Sequence, residues 1–295
     1  AAFVLVAVFL KFSSVPNQVD LDALAADEAS DASKLAHKPS AFGYPQLVLG
    51  MIAIFVYVGV EVSTISNMPA YLELPVSEGG LGIETSLIAP FVSLYWASLM
   101  IGRWAGAAGA FDVAKHTKWM LTILLPYLAF GVFLAVNAFA NHEISHFFMY
   151  GFVIVLMIAA TFASRGNPAR MLLYFAICGI AALVIGMLTT GMTSVVAFIS
   201  VGLFCSTMWP CIFTLAITGL GRNTNQGSSL LIMMIMGGGI VSWLQGVIAD
   251  MHGIHYSFVV GVLCFAYLAF YAIAAKRALQ KQGIDLDALT AQGGH

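Results

Sequence analysis

Between Leu203 and Asp250 the chain runs through two apolar segments, each long enough to cross a bilayer, joined by a short polar turn at Gly221 to Gly227. A hydrocarbon core about 30 Å thick needs about 20 consecutive apolar residues in a helix, a length that core helices of water-soluble domains rarely require. The pair reads as a membrane hairpin. Its first helix holds Trp209-Pro210 near mid-membrane, and its second carries Gly237, Gly238 and Gly239, with Gly246 further on. Such glycines let a neighbouring backbone approach closely, or let a helix bend while it lines a path. Packing is the plainer of the two roles.

The same pattern recurs along the chain. Eight spans are expected, at about 45–72, 84–110, 118–140, 146–164, 170–189, 192–218, 226–249 and 256–276. Only 9% of residues are charged, against roughly 25% in soluble domains, and the mean hydropathy is +0.92. Both figures exclude a soluble enzyme. Short connections make sequential spans antiparallel, so the loops alternate between the two sides. On that count Lys11, Lys34, Lys38, Lys115, Lys118, Arg165, Arg170, Arg222, Lys276, Arg277 and Lys281 share one side, eleven of the twelve basic residues. The opposite loops hold Glu73, Glu78, Glu84, Glu143 and Asp250. The positive-inside rule then puts the linker and the C-terminal tail in the cytoplasm.

Composition divides the chain further. Residues 1–14 read as the end of a truncated membrane helix, and residues 15–44, rich in Asp and Ala, as a cytoplasmic linker. Residues 45–277 form the membrane bundle and 278–295 a cytoplasmic tail. A net charge of −2 offers no basic field for nucleic acid, so the expected surroundings are the lipid bilayer, while the cut-off apolar run at 1–14 suggests a missing N-terminal part of the same protein.

Two ionisable residues remain deep inside spans: Glu61 in the first and Arg103 in the second. Each costs about 2.5–3.5 kcal/mol on insertion scales, so each should face a partner or a water-filled cavity. A structural ion pair would satisfy them, as would an Arg103 side chain snorkelling to the headgroups. The functional alternative is a polar substrate cavity walled by Glu61, Asn67, Arg103 and Trp209. Pro69, Pro90, Pro126 and Pro210 lie near these groups, and proline bends in transporter helices serve gating as well as simple kinks. Pro210, Gly237, Gly238 and Gly239 are the candidate gating and packing positions. A Trp face beside polar groups is also suited to stacking on the apolar face of a sugar ring.

His142-Glu143-Ile144-Ser145-His146 matches the HExxH pattern of zinc proteases, in which two His one helical turn apart bind the metal. It falls in an outer turn without a strong third ligand nearby in sequence, although His252 and His255 occupy another outer loop. A polar interfacial turn is the simpler account. Cys178, Cys205, Cys211 and Cys264 sit in apolar runs without metal spacing and read as small buried hydrophobes. No nucleotide or phosphate fingerprint occurs, so neither cofactor, metal nor catalytic residues are expected.

Tyr57-Val58-Gly59 followed by Glu61, Gly102-Arg103-Trp104, Trp209-Pro210 with Ile212-Phe213 and Leu215, Gly219-Leu220-Gly221, Gly227-Ser228-Ser229 and Gly237-Gly238-Gly239-Ile240-Val241 appear in a telling order. Over about 45–106 and 170–277 this resembles the C-terminal half of the fucose/glucose/galactose permease family of the major facilitator superfamily. The resemblance implies an all-α polytopic bundle and a proton-coupled monosaccharide symporter of the bacterial inner membrane, working by alternating access. By position, Glu61 matches the family's polar Gln or Glu in the seventh helix, Arg103 its eighth-helix arginine, and Trp209 an aromatic position of the tenth helix beside the sugar. Asn67 comes from the cavity reading alone. Residues 118–164 depart from the pattern as an inserted two-span hairpin, which preserves topology. The rival readings are a transporter of another small polar or drug-like substrate, an intramembrane zinc protease built on His142, Glu143 and His146, and a membrane scaffold without substrate.

Overall fold

The computed structural model describes residues 40–78, 80–107 and 114–288, all within one compact unit. The expected truncated helix at 1–14, the linker up to residue 39 and the end of the tail lie outside the described residues. Among the described residues every regular element is helical: α1 (Pro45–Glu73), α2 (Ala89–Ala107), α3 (Lys115–Phe139), α4 (Tyr150–Ser164), α5 (Pro168–Leu188), α6 (Gly191–Cys205), α7 (Met208–Ile217), α8 (Thr224–Met233), α9 (Gly237–His252), α10 (Ile254–Ser257) and α11 (Val259–Lys281). They make eight helical segments long and apolar enough to cross a membrane. This is a multi-pass membrane protein.

Proline and asparagine set where several helices begin. Pro45 opens α1 and Pro168 opens α5, positions where a missing N–H costs nothing. Asn167 caps α5, its Oδ1 accepting from the amides of Ala169 and Arg170. The sixth span is broken. Pro210 has no N–H to return to the carbonyl of Ser206, and α6 stops at Cys205 before α7 starts at Met208. The seventh span tightens into a 3₁₀ turn at Met234–Met236, directly before Gly237. The expected polar turn at 221–227 proves shorter, because Thr224, Asn225 and Gln226 form the first turn of α8. The Thr224 hydroxyl bonds back to the Gly221 carbonyl at 2.7 Å. Likewise α11 runs on to Lys281, past the expected tail boundary at 277.

Six spans form one bundle. Helix α1 packs against α9, α11, α6 and α7; α5 packs against α11, α6 and α7; and α2 lies along α6. Small residues permit the tightest crossings: a Cβ at Gly237 would overlap the Phe55 carbonyl, and one at Gly59 would meet Val241 side-chain carbons from 2.5 Å. At the end of the bundle that carries Glu73, Glu84 and Asp250, an aromatic cluster ties four spans together. Phe198 and Phe258 stack at 4.0 Å, Tyr71 meets Phe198 edge-on at 5.2 Å, and His255 Nε2 lies 2.9 Å from the Gly186 carbonyl. At the opposite, Lys/Arg-rich end, Gln282 donates to Gln46 Oε1 at 2.8 Å, and Asp287 binds Arg170 at 3.0 Å and Lys276 at 2.9 Å.

The other two spans stand outside this bundle. Helix α3 packs along α2, while α4 packs along α5 and α6, so the pair is wedged between its neighbours in sequence. It is joined to them by more than apolar contact. Tyr150 of α4 and Ser98 of α2, both fully buried, share a hydrogen bond of 2.7 Å. Outward, the pair presents Leu124, Leu128, Phe152 and Leu156, an apolar surface suited to lipid.

Candidate transport cavity

Glu61 is held by two tyrosines from different helices. Tyr57, one turn earlier on α1, donates its hydroxyl to the Glu61 carboxylate. From α2, the Tyr95 hydroxyl donates to the Glu61 backbone carbonyl at 2.7 Å. One bond orients the side chain and the other anchors its main chain against the neighbouring helix. Arg103 comes from α2, where the preceding glycine settles its depth: a Cβ at Gly102 would overlap the Ser206 hydroxyl, so only glycine allows this crossing. At that crossing Arg103 Nη2 stands 4.0 Å from Glu61 Oε1. The acid's side chain is 14% exposed and the arginine's 59% exposed.

Trp209 enters from the start of α7, just past the break in the sixth span. Its ring lies 6.1 Å from that of Tyr57, centroid to centroid, inclined by 59°. Tyr57 thereby connects the acid to the indole. Beside them lies a cavity of about 650 Å³, walled in part by Arg103, Trp209, Pro210, Ser206 and Thr207. Its size falls within the roughly 300–1,000 Å³ of small-molecule pockets. Thr207 is 6% exposed, and its hydroxyl oxygen is buried without a hydrogen-bond partner. A buried hydroxyl left unpaired costs about 1–3 kcal/mol.

Of the four expected wall residues, Arg103 and Trp209 line the cavity, whereas Glu61 is not among its lining residues and is paired with Arg103 and Tyr57. Asn67 stands apart. It lies six residues beyond Glu61, about 9 Å along α1 and about 120° around it. Its amide donates to the Ser63 carbonyl of its own helix at 2.9 Å. The glycine triplet also divides. Gly237 touches the α1 backbone and Gly238 packs tightly on Val58 and Val62, whereas a Cβ at Gly239 would meet nothing within 4 Å. Pro210 lines the cavity itself.

Tyr57, Tyr95 and Thr207 are the site residues that sequence reasoning passed over. The spacing of Tyr57 and Glu61, four apart on one helix face, carried a signal for the first. The other two depend on helix crossings that no local pattern reveals. The HExxH segment takes a different form from the metalloprotease helix: residues 142–144 are a loop and Ser145–Phe147 a single 3₁₀ turn. His142 Nδ1 instead meets Asn137 Oδ1 at 3.1 Å, and His146 lies 3.6 Å from Glu143. Among the described residues no three His, Cys, Asp or Glu side chains cluster to hold a metal.

Comparison with known proteins places this geometry. No protein-family model matches the chain. A glucose/galactose transporter of Brucella abortus biovar 1 is 34% identical over 254 residues, which cover 85% of this chain and 48% of that protein. The L-fucose-proton symporter of Escherichia coli K12 is 34% identical over 110 residues, 37% of this chain and 25% of that one. Over 85% of its length the chain is thus similar to a glucose/galactose transporter, and over 37% to a fucose-proton symporter, the likeness its motifs suggested. The crystal structure of the major facilitator transporter FucP in the outward conformation matches at a TM-score of 0.57 and 22% identity, over 92% of this chain and 51% of that one. At that identity the match speaks for the fold. The chain spans about half the length of the curated permeases it matches, consistent with the C-terminal half of the fold.

Proposed function

We propose that this chain forms the C-terminal bundle of a monosaccharide symporter of the bacterial inner membrane, moving fucose, galactose or glucose together with a proton by alternating access. The observation that supports the reading is a cavity lined by Arg103 and Trp209, with Glu61 4.0 Å from the Arg103 guanidinium. An acid, a guanidinium and an indole face together provide what a sugar ring needs: acceptors and donors for its hydroxyls, and an apolar surface for its C–H face. The names of the glucose/galactose and fucose-proton relatives support the same substrate class. The Lys/Arg-rich end faces the cytoplasm under the positive-inside rule. Gly237 and Gly238 pack the seventh span on α1, while the 3₁₀ turn before them and the break at Pro210 supply bends at which the cavity opens and closes.

Uptake of radiolabelled fucose, galactose and glucose into vesicles containing the complete protein tests this reading, with and without an imposed proton gradient. One sugar should accumulate with the gradient, and Glu61→Ala and Arg103→Ala should each abolish that uptake while the protein remains inserted and folded. Absence of uptake for all three sugars would direct attention to another small polar substrate.

A further inference from the structure

The α3–α4 hairpin contributes to the cavity although it lies outside the bundle. Thr122 of α3 and Thr161 of α4 line it together with Arg103, Thr207 and Trp209. We infer that the hairpin forms one wall of the sugar's route near the Lys/Arg-rich end, with Thr122 and Thr161 as specificity-determining contacts to a neutral, hydroxylated substrate. The inference rests on the transport reading above.

Hydrogen-bond arithmetic selects the ligand class. The Thr122 hydroxyl already donates to the Lys118 carbonyl at 2.9 Å, and the Thr161 hydroxyl to the Met157 carbonyl at 2.9 Å. Their protons are used, and what both offer the cavity is oxygen lone pairs. Arg103 brings only donors. An anion would bond to the guanidinium but meet lone pairs on the hairpin side. A sugar hydroxyl both donates and accepts, so it satisfies both walls at once. The wall is also firmly mounted. The buried Ser98–Tyr150 bond links α4 to α2, the helix that carries Arg103, and Ser200 of α6 is a further hydrogen-bond partner of Tyr150. These bonds tie the hairpin to the helix that carries Arg103.

Two measurements on the complete protein test the inference. The first is the KM for the transported sugar in Thr122→Val and Thr161→Val, which keep side-chain shape and remove the oxygen. Loss of one hydrogen bond predicts an increase of about three- to tenfold in each, with the maximal rate and the amount of inserted protein unchanged. The second needs no transport. With Cys178, Cys205, Cys211 and Cys264 replaced, Thr161→Cys should react with a membrane-impermeant maleimide applied at the Lys/Arg-rich face, and the transported sugar should slow the reaction. Unchanged KM values in a protein that does transport sugar would overturn the hairpin's role and leave the transport reading standing. An unreactive Thr161→Cys would place the residue against lipid and overturn it as well. A labelled Thr161→Cys in a protein that moves no sugar would remove both the transport reading and the sugar contact assigned here.

Discussion

Glu61 Oε1 and Arg103 Nη2 lie 4.0 Å apart, yet the two side chains are held very differently. The acid is fastened by Tyr57 to its carboxylate and by Tyr95 to its backbone. The arginine's side chain is largely open to the cavity. Glu61 is therefore the stationary member of the pair and Arg103 the one with freedom to turn between the acid and a ligand. A pair at this distance and exposure contributes modestly to stability.

That asymmetry separates a structural pair from a functional one. Neutralising one partner leaves the other uncompensated at membrane depth, at a cost of about 2.5–3.5 kcal/mol on insertion scales. Arg103→Gln and Glu61→Gln should each lower the melting temperature in detergent, and the double variant should recover most of the loss. Uptake by the complete protein should stay abolished in all three. Recovery of uptake in the double variant would mark the pair as purely structural.

Tyr57→Phe removes the hydroxyl that orients the carboxylate but leaves the ring beside Trp209. Hydrogen bonds to a charged group are worth about 1.5–3 kcal/mol, so sugar uptake at low concentration should fall about tenfold or more. The tryptophan emission should change little, because the ring contact persists. Parallel kinetics and fluorescence on purified variant and wild type check both statements.

The glycine triplet offers a test with an internal control. Gly237→Ala drives a methyl group into the Phe55 carbonyl, so α1 and α9 must separate, and a melting loss equivalent to about 2 kcal/mol is expected. Gly239→Ala meets open space and should hold or raise the melting temperature, since alanine favours a helix over glycine by about 1 kcal/mol. Equal losses at both positions would contradict the packing described here.

Asp287 provides a pH dependence outside the membrane. The hydrogen bond from Lys276, reinforced by the charges of Lys276 and Arg170 and by Asn167, holds its carboxyl below the ordinary aspartate value, with desolvation opposing. A depressed folded-state value means that the contribution is complete above the unfolded value of about 3.9 and is lost as the pH falls through the folded one. Asp287→Asn should lower the melting temperature slightly at pH 7, and the difference from wild type should close as the pH is brought below about 4. High salt should shrink the difference too, because these groups are partly open to solvent.

Much was legible from local pattern. Long apolar runs can only be helices in a bilayer, since each backbone group must be bonded within its own segment. The alternation of Lys/Arg-rich and acidic loops then counts those helices. Glu61 and Arg103 stood out because a charge inside an apolar run is costly wherever the chain goes. HExxH illustrates the opposite case: a pattern of residue types without the helix that would give its imidazoles a common face.

What the amino-acid order determined by itself was the set of membrane helices, their alternation across the bilayer and the identity of the charges left at depth. Each follows from the free energy of placing a given side chain in water or hydrocarbon, which depends on composition and spacing alone. The tertiary structure decided which faces meet. It set Asn67 away from Glu61, brought Tyr95 onto the Glu61 backbone, and placed Thr207 and two threonines of the α3–α4 hairpin on the same cavity as Arg103. Those outcomes depend on where small residues such as Gly102 let helices cross. A crossing is a property of two surfaces distant in the chain, and neither surface encodes it alone.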